Sequence, residues 1–336
     1  MATCEHIAWL QVSGSEELTL HNEGRLTRLL PELIDPEAQK PSLLFFLGHR
    51  AKNVALRELF PYNNIKRSRP DGIANLRIDT STLNSDYPIL FADSNPASRP
   101  LPQAKTSLCH EVRSYGMSSR DYPTLFDFLH ARLFCIFSDV ICIFAEDFSS
   151  LDSVVERLKA WAAVGSALHL SPQLRPRVVI VVKGDDASPT YGLLQAQDLR
   201  FKLHQQLLIH FFSSITVLRL ADAQISPLAR YRRLKELLLR HADEMRQLRQ
   251  AMHSLFSAIH LNRLFEEMVK QAAKGPHLPR NFIQISRQHN SISDDYYDHL
   301  MNFLRTCSEV IDYEGMLSIT ATSMLMDAYP PGMHGT

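Results

Sequence analysis

Leu43-Leu44-Phe45-Phe46-Leu47-Gly48-His49-Arg50-Ala51-Lys52-Asn53-Val54-Ala55 opens with five apolar residues, breaks at a glycine and continues into residues of helical character. An apolar run of this length suits a strand covered on both faces, and the glycine supplies the turn into a helix over 53–59. The same grammar recurs along the chain. Pro88-Ile89-Leu90-Phe91-Ala92 ends at Asp93, and further runs are Val140 to Ala145, Val178 to Val182 and Ile215 to Leu220. Helical patterns fill 122–134, 151–163 and 193–212. Strands alternating with helices predict an α/β fold with a mostly parallel sheet, its right-handed crossovers placing helices on both faces. Ile7-Ala8-Trp9-Leu10-Gln11-Val12 reads as an added edge strand, and Asn95 to Gln103, with Pro96, Pro100 and Pro102, as loop. The resulting division is an N-terminal segment over 1–39, an α/β domain over 40–225 and a helical region over 226–336.

Composition fits that outline. The chain has 336 residues, 45% hydrophobic and 21% charged, which excludes wholesale disorder and a disulfide-stapled miniature. Thirty-six basic residues balance 36 acidic ones, so the chain as a whole has no pull toward nucleic acid or anionic membrane. Cys4, Cys109, Cys135, Cys142 and Cys307 are odd in number and have no CxxC spacing, which reads as reduced thiols. The first residues lack the basic start and apolar run of a signal peptide. The densest apolar stretch, Leu133 to Ala145, contains Asp139 and falls short of the ~20 residues of a membrane span. A cytoplasmic protein with no transmembrane segment is expected.

Beyond Pro227 the character changes. Arg230 to Lys274 has no Pro or Gly and is rich in helix formers, predicting a long helix or helical hairpin. Leu234, Leu238, Met245, Leu248, Met252, Leu255 and Ile259 alternate at spacings of four and three, with His241 in the one polar slot. Such a seam either packs on the chain's own domain or joins a protein partner or second copy through the Leu234–Ile259 helix. Arg230, Arg232, Arg233, Lys235, Arg240, Arg246 and Arg249 on this stretch, and Lys66, Arg67 and Arg69 in an earlier loop, lack the interleaved aromatics of a single-strand binding surface. No nucleic-acid partner is expected. Asp294 to Tyr329 continues the helical pattern, ahead of Pro330-Pro331-Gly332. Fifteen histidines form no H-E-x-x-H or H-x-H pattern, and no metal site is expected from spacing.

The strand-glycine-helix unit invites comparison with the phosphate-binding loop G-x-x-x-x-G-K-[ST]. Gly48 stands in the first position, but Asn53, Val54 and Ala55 replace the second glycine, the phosphate-binding lysine and the magnesium-ligating hydroxyl. Lys52 is a shifted candidate cation, and Asp93 ends the next apolar strand where a magnesium-holding Asp belongs. Val182-Lys183-Gly184-Asp185 is similar to the [NT]-K-x-D guanine motif; an ordinary solvated turn is the competing reading. In order, these features resemble a P-loop GTPase-like domain that has lost its chemistry. That resemblance implies candidate nucleotide-site residues Gly48, Lys52, Asp93, Lys183 and Asp185. No catalytic residue and no cofactor is expected, with GTP and magnesium as the alternative.

Phe46 to Asn53, Arg69-Pro70-Asp71-Gly72-Ile73-Ala74-Asn75-Leu76-Arg77, Phe212 to Asp222 and Ile225 to Lys235 also resemble the N-terminal region of large fungal proteins whose later part is a patatin-like phospholipase. This implies a multidomain intracellular setting ahead of a lipid acyl hydrolase. The hydrolase chemistry does not carry over, because the chain has no G-x-S-x-G elbow and Asp71-Gly72 is followed by Ile73. A non-catalytic regulatory or interaction module is therefore the leading expectation; an unorthodox guanine-nucleotide switch and a coiled-coil scaffold are the alternatives.

Overall fold

The computed structural model describes residues 6–15, 17–65, 73–102, 109–117, 121–165, 170–184, 211–221, 224–252, 254–274 and 295–328. Strands β1 (Ala8–Ser13), β2 (Thr19–Asn22), β3 (Ser42–Leu47), β4 (Ala74–Ile78), β5 (Ile89–Ser94), β6 (Arg113–Gly116), β7 (Val140–Phe144), β8 (Arg177–Val182) and β9 (Ser214–Arg219) form one sheet. Its order is β6-β2-β1-β4-β5-β3-β7-β8-β9.

The α/β class holds, but the sheet is mixed rather than mostly parallel. β5, β3, β7, β8 and β9 run parallel, whereas β4 is antiparallel to β5, and β1, β2 and β6 extend the sheet through antiparallel pairs. The expected edge strand at the N-terminus is interior, lying between β2 and β4. The strands that sequence patterning overlooked are β2, β4 and β6. β4 reads Ala-Asn-Leu-Arg-Ile, and its buried Asn75 and Arg77 interrupt the apolar signal. β6 is largely exposed and polar, as an edge strand that must not recruit further chains.

Period-two alternation divides the core into two faces. Leu43, Phe45 and Leu47 of β3, Ile141 and Ile143 of β7, and Val178 and Ile180 of β8 point into one layer. Helices α1 (Arg25–Leu29), α3 (Tyr122–Leu129), α4 (Leu151–Gly165) and α6 (Ala258–Lys274) cover that face, with Trp161 and Phe265 fully buried. Leu44, Phe46, Val140, Cys142, Phe144, Val179 and Val181 point the other way, under α2 (Arg50–Leu59) and α5 (Pro227–Ala251). Burial on both faces explains why these strands read as continuous apolar runs. Burial also pushes the Cys135 and Cys142 thiols far up, leaving them as core residues.

The helical stretch after Pro227 is two helices. Ser226 caps α5, accepting from the Ala229 amide at 3.4 Å, and the helix ends at Ala251. α6 begins at Ala258, whose amide is held by the Gln39 carbonyl at 2.9 Å. The heptad seam is thus broken before Ile259. Leu234, Leu238 and Met245 are buried within the chain, Leu234 and Leu238 as part of the second core face. Tyr296–Cys307 and Tyr313–Ala328 form two further helices, α7 and α8. Among the described residues no helix is long and apolar enough to cross a membrane.

Candidate functional site

The chain leaves β3 toward β5 on one side and later returns to β7 on the other, so the strand order reverses around β3. In open α/β sheets the crevice beyond the strand C-termini at such a reversal is where ligands bind. Three of the residues singled out from sequence lie there: Gly48 follows β3, Lys52 is in α2, which starts two residues after that glycine, and Asp93 is the last residue but one of neighbouring β5.

The N-terminus of α2 presents backbone amides in the manner of an anion site. They are already engaged. Asp147, in the short turn after β7, accepts from the amides of His49 at 2.6 Å, Ala51 at 3.0 Å and Lys52 at 3.0 Å. A carboxylate from the chain itself therefore takes up the amides that a helix N-terminus otherwise offers to an anion. Gly48 is required by this approach, because a Cβ there would lie 2.6 Å from Asp147 Oδ2 and 2.9 Å from Lys52 Cβ. The Gly48 amide donates to the Ser94 carbonyl at 3.1 Å, tying the loop to β5.

The cation and the acid are likewise matched to each other. Lys52 turns inward, its Nζ 2.6 Å from Asp93 Oδ2 and 3.3 Å from the Ser94 carbonyl oxygen. Arg77 from β4 donates to Asp93 Oδ1 at 2.5 Å, and Asn75 reaches the same carboxylate at 3.5 Å. Lys52, Arg77 and Asp93 are all buried. Burial alone would raise the Asp93 carboxyl, but the Lys52 and Arg77 charges outweigh it and hold it at about 2. A magnesium ion at Asp93 would have to displace two cations, and a phosphate near Lys52 would have to compete with a buried carboxylate.

Around this centre, Asn95 donates through Nδ2 to His49 Nδ1 at 3.3 Å. His130 is buried behind β5. Its Nδ1–H donates to the Phe126 carbonyl at 2.7 Å, which leaves Nε2 to accept from the Ser94 hydroxyl at 3.1 Å. Burial drives this imidazole down to about 3, so it is neutral. It begins a π-helical turn, His130–Phe134, that continues α3.

Gly48, Lys52 and Asp93 are thus brought together. Lys183 is at the C-terminal end of β8, two strands from β3 on the same edge, and is exposed. Gly184 beside it would place a Cβ 2.7 Å from the Leu220 carbonyl oxygen, so the glycine is demanded by the neighbouring strand end. Asp185 lies outside the described residues, as do Lys66, Arg67, Arg69 and nearly all of the helix expected over 193–212. Asp147 and Arg77 are the residues that sequence reasoning missed. Arg77 lies on β4, a strand that patterning did not reveal, and Asp147 follows β7 with no motif of its own.

No protein-family model matches this chain, and no curated protein is similar enough to place it in a family.

Proposed function

We propose that the chain is a non-catalytic regulatory or interaction module built on a degenerate P-loop GTPase-like α/β domain, in which protein groups have replaced the nucleotide. One observation carries this reading: the Asp147 carboxylate accepts the three amides at the start of α2 that a phosphate would otherwise engage. Supporting it, the Lys52 ammonium is paired with Asp93, so neither the phosphate cation nor the magnesium acid is available. Transferring a phosphoryl group requires charge stabilisation aimed at the γ-phosphate, and here that charge is directed inward. The likeness to the N-terminal region of fungal patatin-like phospholipase proteins suggests the setting, a multidomain protein in which this module contacts the hydrolase or its regulators.

A guanine-nucleotide switch is the second reading, favoured by the convergence of Gly48, Lys52 and Asp93 at the strand reversal. It would require Asp147 to swing out as nucleotide enters. Self-association through α5 would use its outward residues, Leu228 and Leu239, since the seam side chains Leu234, Leu238 and Met245 face the core.

The test is titration of the purified chain with fluorescent GTP and ATP analogues, with and without magnesium, while its melting temperature is followed. A ligand that prefers the folded state raises that temperature. The module reading predicts no binding up to millimolar nucleotide. Tight, magnesium-dependent GTP binding weakened by Asp93→Ala would overturn it in favour of the switch.

A further inference from the structure

The antiparallel wing of the sheet brings three strand ends together. The register pairs Leu10 with Asn22 and Asn22 with Arg113, so the start of β1, the end of β2 and the start of β6 are neighbours. His6 precedes β1, Glu23 follows β2, and Cys109 and His110 precede β6. Their ligand atoms converge. Cys109 Sγ is 3.2 Å from His6 Nδ1 and 3.2 Å from His110 Nδ1, and the three atoms all lie within 4.8 Å of one another.

From this cluster we infer a divalent transition-metal site, best suited to zinc, with His6 Nδ1, Cys109 Sγ and His110 Nδ1 as ligands. The donor set is one soft thiolate and two imidazoles, which zinc takes in tetrahedral geometry at about 2.3 Å to sulfur and about 2.0–2.1 Å to nitrogen. Those bond lengths place sulfur and nitrogen ligands within a few tenths of an ångström of their present separation. The outer surroundings carry a second, independent sign. His110 Nε2 is 2.9 Å from Glu23 Oε2, and both side chains are almost fully buried, 6% and 5% exposed. A carboxylate on the far nitrogen fixes the imidazole tautomer, turns the Nδ1 lone pair toward the metal and strengthens it as a ligand. Arg28 on α1 clamps the frame, donating to the backbone carbonyls of His6 at 3.0 Å and Glu23 at 3.3 Å. His6 and Cys109 are exposed, which gives the ion a way in and leaves a fourth position for water or another donor. Binding replaces the Cys109 thiol proton with the metal and releases that proton to solvent.

The test is zinc titration of the chelator-stripped full chain in competition with a chromophoric chelator, paralleled by cobalt substitution. We expect one equivalent bound with micromolar or tighter affinity, a rise in melting temperature and a thiolate-to-cobalt charge-transfer band. Cys109→Ser should abolish the band and weaken zinc at least 100-fold, and Glu23→Gln should weaken it about 10- to 100-fold. His110→Ala strips the buried Glu23 of its partner and risks misfolding, so the exposed His6→Ala serves as the second ligand variant. Absence of stoichiometric uptake, or uptake unaffected by both Cys109→Ser and His6→Ala in chains that melt like the parent without metal, would overturn the proposal.

Discussion

Arg249, in the last turn of α5, places its Nε 2.7 Å from the Oδ1 of Asp139, the residue that opens the approach to β7. The other carboxylate oxygen accepts the Leu43 amide at 2.8 Å, so one acid joins β3, β7 and the far end of a 25-residue helix. Burial pushes the Asp139 carboxyl up, opposed by the Arg249 charge and the Leu43 amide. Removing one partner of such a pair leaves an uncompensated buried charge, at a cost of about 3–5 kcal/mol. Arg249→Ala should therefore lower the urea midpoint sharply, and adding Asp139→Asn should recover part of the loss. A single-variant cost below about 1 kcal/mol would contradict this account.

Freeing the amides of α2 should reveal the anion site they form. Asp147→Ala is expected to destabilise the chain by about 1.5–3 kcal/mol, the range for hydrogen bonds to a charged group. It should also create a response to sulfate or pyrophosphate, seen as a rise in melting temperature absent from the parent. Equal responses in both chains would mean that Asp147 is not what occupies the cradle.

Asp93 sets an acid limit on stability. Its folded value of about 2 lies below the roughly 3.9 of an unfolded carboxyl, so its contribution is fully present above about pH 4 and lost as pH falls toward 2. Lys52→Met removes one of its two cations and should cost about 3 kcal/mol at neutral pH. It should also move the acid unfolding midpoint upward. Urea melts from pH 7 down to pH 2 measure both effects.

His130 acts over a higher window. Its folded value of about 3 lies below the roughly 6.5 of an exposed imidazole, so stability from the neutral ring is complete above pH 6.5 and lost as pH drops toward 3. Between pH 7 and pH 5 the parent should lose about 2 kcal/mol from this one group. His130→Phe, set among Phe126, Phe134 and Trp161, keeps aromatic packing and should flatten that slope. An unchanged slope would assign the titration to another residue.

Leu234 tests what the α5 seam is for. It is fully buried within the chain, and Leu234→Ala should cost about 2–5 kcal/mol. That loss should be the same at low and high protein concentration. Concentration-dependent melting, abolished by the substitution, would instead make the seam an intermolecular contact.

Legibility from sequence followed burial. The strands around β3 were readable because helices on both faces make every position apolar, and Gly48 and Asp93 marked their ends. The antiparallel half was hidden where polar residues are buried for a purpose: Asn75 and Arg77 in β4 face Asp93, and His21 in β2 lies between the hydroxyls of Ser13 at 2.7 Å and Ser114 at 2.8 Å. Periodicity reads apolarity and is blind to polar groups that satisfy one another. The site was legible in its lysine, glycine and aspartate but not in its closure, because Asp147 is 98 residues from the His49 amide it accepts.

A carboxylate fixed to the polypeptide meets the α2 amides at an effective concentration that a freely diffusing phosphate reaches only with difficulty. Proteins whose cradle waits for a nucleotide inherit a dependence on supply, folding more firmly when the ligand is plentiful and loosening when it runs short. On the module reading proposed above, a chain that carries its own counter-anion in Asp147 is uncoupled from that supply. The same reading implies a loop whose shape does not follow nucleotide supply, so that the surface it offers is set when the chain is synthesised.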